Sequence, residues 1–410
     1  MPSSFRHFRI TNELLLAWIG LYALTVVIGF GRFLFTATLP DMMQQLSMST
    51  ATAGFLASMN YIGYFIGAFV AMFVPQRLTW SMLMAWAVVS VVTTMLLSVP
   101  NMPLEAWYVI RLLAGMASGL TMIFSSTLVI QSFSAARRSV LSTLHYAGIG
   151  VGISASALLT WQLLHIGQHF DVIWLSAGVL SLPLLLLIYA IRPLEDNMAS
   201  PRPRFSITQT YHNFKRALYQ ASVGHGRAIA LLAFSYVLAG FGYITSATFL
   251  PVMAAQRLEN AQSAGLMIWL VVGIFAMLSN PVWGALAKRI GETKTLMGLT
   301  AIQALGMFLP LWLPDAVGLY ANAMILGLTF AGIVSMTLII IKNINPEYSN
   351  LLMGLATVSY AFGQFVGPLV TVALAGAGDN FDAGLLTAGF ALIISLLLVI
   401  WFWRVSSRHV

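Results

Sequence analysis

Two arginines lie inside long apolar stretches of the sequence, where a charged side chain is least expected. Arg32 interrupts the run "VVIGFGRFLFTATLP" at residues 26–40, and Arg111 begins "RLLAGMASG". A guanidinium keeps its charge at physiological pH, and inside a membrane that charge costs about 2.5–3.5 kcal/mol unless it faces a protein interior or a cavity. No Asp or Glu occupies the middle of an apolar run. An anionic ligand could therefore supply the missing countercharge.

Two structural explanations for these arginines stay open. Either guanidinium could bond backbone carbonyls at a helix kink. Either could instead extend toward an acidic residue near the outer end of its span, which is Asp41 for Arg32 and Glu105 for Arg111.

Other polar residues recur at helical spacing in the apolar runs, so that each set shares one helix face. Such faces can line a ligand cavity, and they can equally join helices to each other by hydrogen bonds. His145 is a candidate proton carrier, because its charge can change near neutral pH, and a packing role remains its alternative. The candidates for substrate binding are Arg32, Thr36, Asn60, Tyr236, Tyr243, Tyr360 and Gln364, and those for coupling are Arg111 and His145.

The elements that position these residues are membrane-spanning helices. Of the 410 residues, 59% are apolar and 8% are charged, whereas a soluble domain carries about 25% charged residues. About twelve apolar runs are each long enough to cross a hydrocarbon core of about 30 Å. The sequence therefore predicts an all-α membrane protein embedded in a lipid bilayer. The first run is too long for a signal peptide, so we expect it to stay as a helix.

The basic residues predict the orientation of the chain. With both termini inside, all of the 20 Lys and Arg residues except Arg32, Arg111 and Arg257 fall on the cytoplasmic side. This bias follows the positive-inside rule, so the net charge of +8 is a topology signal and does not indicate nucleic-acid binding. The chain has no cysteine, which excludes disulfides and thiolate metal sites. We expect neither a metal nor a cofactor.

The sequence repeats itself on the two sides of a long polar segment. "GFGRFLFTATLP" at 29–40 aligns with "GFGYITSATFLP" at 240–251, and "LSTLHYA" at 141–147 aligns with "LATVSYA" at 355–361. We predict an N-terminal six-helix bundle at 1–192, a cytoplasmic linker at 193–227 and a C-terminal six-helix bundle at 228–410. Two such halves are typical of secondary transporters, whose substrate site lies between the repeats. The paired G-F-G sequences are interpreted as close helix contacts.

These residues resemble the major facilitator superfamily over nearly the whole chain, and more closely its YbfB/YjiJ-like bacterial branch. The stretches that carry the resemblance are "GRFLFTATLP" at 31–40, "HYAGIGVG" at 145–152, "GFGYITSATFLPVMA" at 240–254 and "GQFVGP" at 363–368. The resemblance implies two pseudo-symmetric six-helix bundles that rock about a central site. Arg111 with Gly115 resembles a fourth-helix R-x-x-x-G element that exporters use in proton coupling.

The resulting hypothesis is a secondary active transporter of a small organic anion, or of an amphipathic solute carrying one, across the bacterial inner membrane. Protons are the candidate coupling ion, and a monomer is expected. One alternative is a broad-specificity drug exporter of the same fold, because Phe, Trp and Met are abundant. Another is a non-transporting membrane receptor or channel. An enzyme is not expected, since no cluster of His and carboxylates marks an active site.

Overall fold

The computed structural model describes residues 12–74, 78–192, 194, 207–376 and 380–406. Within these residues twelve helices are long and apolar enough to cross a membrane, and no strand occurs. A further helix, Ile207–Ser222, precedes the seventh span and is called the linker helix here. The spans are α1 Glu13–Gln45, α2 Thr50–Ala71, α3 Thr79–Leu96, α4 Leu104–Gln131, α5 Arg138–His165, α6 Phe170–Ala190, α7 Gly226–Arg257, α8 Ala261–Ile290, α9 Glu292–Trp312, α10 Asp315–Ile344, α11 Ser349–Ala375 and α12 Asp382–Ser406.

The predicted fold class is confirmed, since the described part of the chain is all-α with twelve spans in two related sets of six. The bounds chosen for the two bundles and the linker stay a prediction, and much of the linker lies outside the described residues. Several arginines used to predict the orientation also lie outside the described residues, namely Arg6, Arg9, Arg77, Arg202, Arg204 and Arg408.

Pro40 and Pro251, which are equivalent in the sequence repeat, each lie inside a helix. α1 continues past Pro40 to Gln45, and α7 continues past Pro251. A proline lacks an N–H and so leaves the carbonyl four residues earlier without its helical partner. For Pro251 that carbonyl belongs to Ala247, and Thr36 Oγ1 of α1 donates a hydrogen bond to it at 3.1 Å. A side chain of the other half thus satisfies a carbonyl that the helix itself cannot.

α1 and α7 contact each other at equivalent positions of the sequence repeat. Arg32 meets Tyr243, and Thr36 meets Ala247, and both pairs are separated by 211 residues, the offset of the repeat. When a residue contacts its own equivalent, the two-fold axis that relates the two units passes between them. Arg32 therefore lies beside the approximate axis, at the interface of the two halves.

Close glycine contacts set the position of Arg32 along this interface. Gly29 of α1 faces Gly152 of α5 so closely that a β-carbon added at Gly29 would lie 2.4 Å from the Gly152 Cα. The equivalent Gly240 of α7 packs on the Tyr360 carbonyl of α11, which would lie 2.3 Å from an added β-carbon. As predicted, these glycines allow two helix backbones to approach each other. Arg32 is held less than one turn from the first of these crossings.

The two halves also meet where α2 lies beside α11. Because successive spans alternate in direction, one end of the bundle carries Glu13 and the linker helix, and we call it the terminal end. The loop between α1 and α2 lies at the opposite end. A β-carbon added at Gly54 would lie 2.3 Å from Val372 Cγ2 at the opposite end, and one at Gly354 would lie 2.4 Å from Met72 Sδ at the terminal end. α2 and α11 therefore touch near both ends.

Candidate functional site

The Arg32 guanidinium is buried at the interface and bonds neutral groups of the second half. Its Nη2 donates to Gln364 Oε1 at 2.7 Å and lies 3.4 Å from Tyr243 Oη. Gln364 Nε2 donates to the same tyrosine oxygen at 2.7 Å, so the three side chains close a triangle, which we call the Arg32 triad. Arg32 is 5% exposed and Gln364 is 2% exposed. Arg32 Nε has no hydrogen-bond partner within the described residues.

No carboxylate lies within ion-pairing distance of Arg32 or Arg111 in the described part of the chain. The ion pairs there join Arg137 to Glu13 at 3.9 Å, and Arg257 to Asp315 at 3.8 Å and to Asp382 at 2.5 Å. The Arg257 pairs border a cavity of about 740 Å³ at the opposite end of the bundle. The structure therefore does not show the second of the open explanations, in which Arg32 extends to Asp41 and Arg111 extends to Glu105.

Two tyrosines of α2 cover the Arg32 guanidinium. The centres of the Tyr61 and Tyr64 rings each lie 4.7 Å from Arg32 Cζ, within the range of cation–π attraction. Tyr61 Oη also lies 3.0 Å from Thr248 Oγ1 of α7, so this ring bridges the two halves. Neither ring was among the predicted site residues. Their spacing of three residues, which puts both on one helix face, is the signal that could have found them.

A column of stacked aromatic rings adjoins the Arg32 triad. Tyr236 stacks on Tyr360 with ring centres 4.4 Å apart, Tyr360 stacks on Tyr243 at 5.4 Å, and Tyr243 stacks on Phe330 at 5.8 Å. The planes within these pairs differ by 25°, 5° and 9°, respectively. Because Tyr243 belongs to both groups, the predicted residues Tyr236 and Tyr360 reach Arg32 through it. The column forms an apolar aromatic wall beside the cation.

The backbone of α1 departs from α-helical geometry in a segment that contains Arg32. Thr25–Phe33 is a π-helix, which the Leu34 N–H closes by bonding the Gly29 carbonyl. The equivalent residues 236–244 of α7 are α-helical. π-Helical turns are rare and occur frequently at functional sites. Both halves carry G-F-G at this position, so the sequence repeat contains no signal that would have predicted the difference.

Arg111 and Asn60 bond to each other's helices within the first half. Arg111 is 1% exposed, its Nε donates to the Leu56 carbonyl at 3.3 Å, and its Cζ lies 4.2 Å from the centre of the Phe35 ring. Asn60 Nδ2 donates to the Arg111 carbonyl at 3.2 Å. A carbonyl contact is one of the two structural explanations that the sequence left open for a buried arginine. These two residues therefore join α2 to α4.

His145 lies toward the terminal end, away from the Arg32 triad. It is fully buried against Gly20 of α1, where an added β-carbon would lie 2.0 Å from His145 Nδ1. His145 Nε2 lies 3.0 Å from Ser126 Oγ of α4, whereas Nδ1 has no hydrogen-bond partner within the described residues. Gly20 precedes Arg32 by about three helical turns, so His145 cannot touch a solute bound at Arg32.

The structure thus gathers five of the predicted substrate-binding residues around one point of the interface, and Thr36 lies one turn further along it. Asn60, Arg111 and His145 lie elsewhere in the first half. The gathered residues are Arg32, Tyr236, Tyr243, Tyr360 and Gln364. The described residues contain no group of three His, Asp or Glu side chains that could hold a metal ion.

Twelve spans in two related sets, with a buried polar cluster where the sets meet, define a membrane transporter of the major facilitator type. Residues 24–400 match the family described as "Uncharacterised MFS-type transporter YbfB", and the chain belongs to this family.

Curated relatives of the chain are also transporters. The "Uncharacterized MFS-type transporter YceJ" of Bacillus subtilis is 25% identical over 400 residues, which cover 94% of this chain and 95% of the relative. The "D-arabinitol transporter" and the "Ribitol transporter" of Klebsiella pneumoniae are each 22% identical over 233 residues. That match covers 55% of this chain and 53% of each relative.

Proposed function

We propose that the protein is a secondary active transporter that carries a small organic anion by alternating access, with Arg32 as the group that binds the anion. One observation carries this proposal: a buried, permanently charged guanidinium bonds only neutral acceptors in the described part of the chain. Neutral acceptors share the charge but do not cancel it. A carboxylate would cancel it and could accept two parallel N–H bonds from one guanidinium.

The surroundings of Arg32 suit a small solute that carries more than a charge. The Tyr243 hydroxyl and the Gln364 amide are hydrogen-bonding groups, and the aromatic column offers an apolar wall. Binding sites of small molecules commonly combine apolar walls with a few placed polar groups. The position beside the approximate two-fold axis is where transporters built from repeats bind their substrates.

A neutral polyol is the second candidate, because two relatives are transporters of D-arabinitol and ribitol. Hydroxyl groups could accept bonds from Arg32 and exchange them with Tyr243 and Gln364. D-ribonate and ribitol separate the two candidates, because they differ only in a carboxylate replacing a terminal CH₂OH group.

The experiment measures the melting temperature of the purified protein with three such pairs: D-ribonate and ribitol, lactate and propane-1,2-diol, and benzoate and benzyl alcohol. We expect at least one acid to raise the melting temperature above the effect of its alcohol and of chloride. Arg32→Gln should abolish that increase. The matched control is Arg257→Gln, because Arg257 already has carboxylate partners and lies at the opposite end.

Uptake by proteoliposomes then tests transport with the same variants. Accumulation of an acid that needs Arg32 but not Arg257 would support the proposal. Binding or uptake confined to the alcohols would establish the polyol function instead. No response to any acid, or an equal response in Arg32→Gln, would overturn the anion function.

We also propose that Arg111 and His145 support proton coupling from a distance, since neither contacts the Arg32 triad. The contacts of His145 join α5 to α1 and α4, and those of Arg111 join α4 to α2. These helices all belong to the first half, which alternating access rocks against the second half. Uptake that does not respond to an imposed pH gradient would reject this role. The proposed location is the bacterial inner membrane with both termini in the cytoplasm, which the distribution of Lys and Arg supports.

A further inference from the structure

Gln364 presents to Arg32 the same kind of atom that a substrate carboxylate would present. Its Oε1 is a trigonal carbonyl oxygen 2.7 Å from Arg32 Nη2. A guanidinium has only donors, and therefore the oxygen of the amide must face it. The amide nitrogen is used on the other side, where it donates to Tyr243 Oη at 2.7 Å. The amide is thus held on both sides, in the place where an anion bound by Arg32 would lie.

The Gln364 amide binds the Arg32 guanidinium less strongly than a carboxylate would. Gln364 offers one neutral oxygen, whereas a carboxylate offers two oxygens and a full negative charge. The Arg32–Gln364 bond already has one charged partner, so the advantage of the carboxylate is its countercharge and a second, parallel N–H···O bond to the guanidinium. A carboxylate that reaches Arg32 should therefore displace the amide.

The displaced bond is one between the two halves of the protein. Arg32 belongs to α1, whereas Gln364 belongs to α11 and Tyr243 to α7. Loss of the Arg32–Gln364 bond removes a direct link across the interface beside the approximate axis. The arrival of an anion would be coupled in this way to the freedom of the halves to move.

We propose that Gln364 is an internal stand-in for the substrate carboxylate: it satisfies Arg32 in the empty transporter and is displaced when an anion binds. This inference rests on the proposed anion function, and it changes the expected role of Gln364 from a substrate ligand to a competitor of the substrate. It also explains how a cation can stay buried at the interface when no anion is bound.

Acetate is the probe, because it carries little beyond the group that would meet Arg32. Its affinity is measured from the melting temperature of the full-length protein during titration with sodium acetate, against sodium chloride as the reference. Gln364→Met removes the competing oxygen at similar volume, and we expect acetate to bind about tenfold more tightly. Gln364→Glu adds a fixed carboxylate beside Arg32, and acetate binding should be lost.

A second buried glutamine provides the matched control. Gln303 is 1% exposed on α9, and its Nε2 donates to Thr329 Oγ1 at 3.0 Å, so it shares none of the groups of the Arg32 triad. Gln303→Met and Gln303→Glu should bind acetate as the wild type does. Gln364→Asn draws the amide back by one methylene and should also tighten binding, so it decides the matter if Gln364→Met does not fold.

The outcomes separate this inference from the proposed function. Acetate binding that needs Arg32 but is unchanged or weakened in Gln364→Met and Gln364→Asn would overturn the stand-in role and leave the anion function intact. Acetate binding that persists in Gln364→Glu would likewise overturn the stand-in role and leave the anion function intact. Acetate that has no more effect than chloride on the wild type and on Gln364→Met would overturn the stand-in role, and the anion function would be overturned with it only if D-ribonate, lactate and benzoate also have no effect.

Discussion

A disulfide between α2 and α11 at the opposite end should stop transport. A β-carbon built at Gly54 lies 3.4 Å from Val372 Cβ, close to the range of about 3.5–4.5 Å that disulfides require. The pair Gly54→Cys and Val372→Cys also removes Val372 Cγ2, the methyl group that would lie 2.3 Å from the new β-carbon. Gly54→Cys alone should therefore be strained, whereas the double variant should fold well.

The bonded pair limits how far the two halves can separate. A disulfide holds the two Cα atoms within about 6.8 Å of each other. Alternating access needs the interface to open at each end in turn, so a fixed contact at either end prevents a full cycle. Gly354→Cys with Met72→Cys tests the terminal end, because a β-carbon at Gly354 lies 3.9 Å from Met72 Cβ. Each disulfide should lower uptake to the level of protein-free liposomes.

The natural chain has no cysteine, so every disulfide formed belongs to the introduced pair. Uptake of both D-ribonate and ribitol is measured after oxidation and again after reduction, and reduction should restore it. The matched control is Gly178→Cys with Met95→Cys, whose β-carbons would also lie 3.4 Å apart but join α3 to α6 within the first half. Full uptake by the completely oxidised Gly54–Val372 pair would refute the reasoning.

Three further predictions concern the contacts that build the interface and the orientation of the chain. Thr36→Val should lower the free energy of unfolding by about 1–3 kcal/mol, because the buried Ala247 carbonyl loses its donor. Thr36→Ser keeps the hydroxyl, so thermal unfolding should show that it restores stability. An equal loss of stability in both variants would reject this cause. Gly29→Ala should destabilise the protein by about 1–3 kcal/mol through its collision with Gly152, whereas Gly298→Ala, with no atom within 4 Å of the added β-carbon, should not. In intact cells, a membrane-impermeant maleimide should label a cysteine at Ile166, which is 63% exposed at the opposite end, but not one at Val223; the reverse pattern would contradict the predicted orientation.

The sequence predicts which residues share a helix face better than it predicts what that face meets. Helical spacing placed Arg32 and Thr36 on one face, and the repeat identified Tyr243 and Ala247 as their equivalents. That these equivalents touch each other depends on the packing of two helices far apart in the sequence. No local pattern reports such packing, which is why the bond from Thr36 to the carbonyl released by Pro251 was not predicted.

The same limit explains why the sequence singled out Asn60 but not its neighbour Tyr61. Asn60 and Tyr61 are neighbours on α2, yet Asn60 faces α4 whereas Tyr61 covers Arg32. Consecutive residues on a helix point about 100° apart, so a choice between them needs the rotation of the helix relative to its neighbours. The π-helix of α1 also changes the directions in which the side chains of α1 point. It has no counterpart in α7, although both helices contain G-F-G.

The approximate two-fold axis also accounts for the single charge at the site. If both halves carried arginine at this position, two guanidinium groups would meet at about the 3.4 Å that separates Arg32 Nη2 from Tyr243 Oη. Two like charges 4 Å apart repel by about 4 kcal/mol at an effective dielectric constant near 20. The two halves can have the same residue at equivalent positions that lie far from the axis. Beside the axis equivalent residues meet, so a charged residue in one half needs an uncharged or oppositely charged residue at the equivalent position of the other. Tyr243 fulfils this condition because its hydroxyl can accept a bond from Arg32 and from Gln364 together, and the asymmetry leaves one cation for an anion to bind.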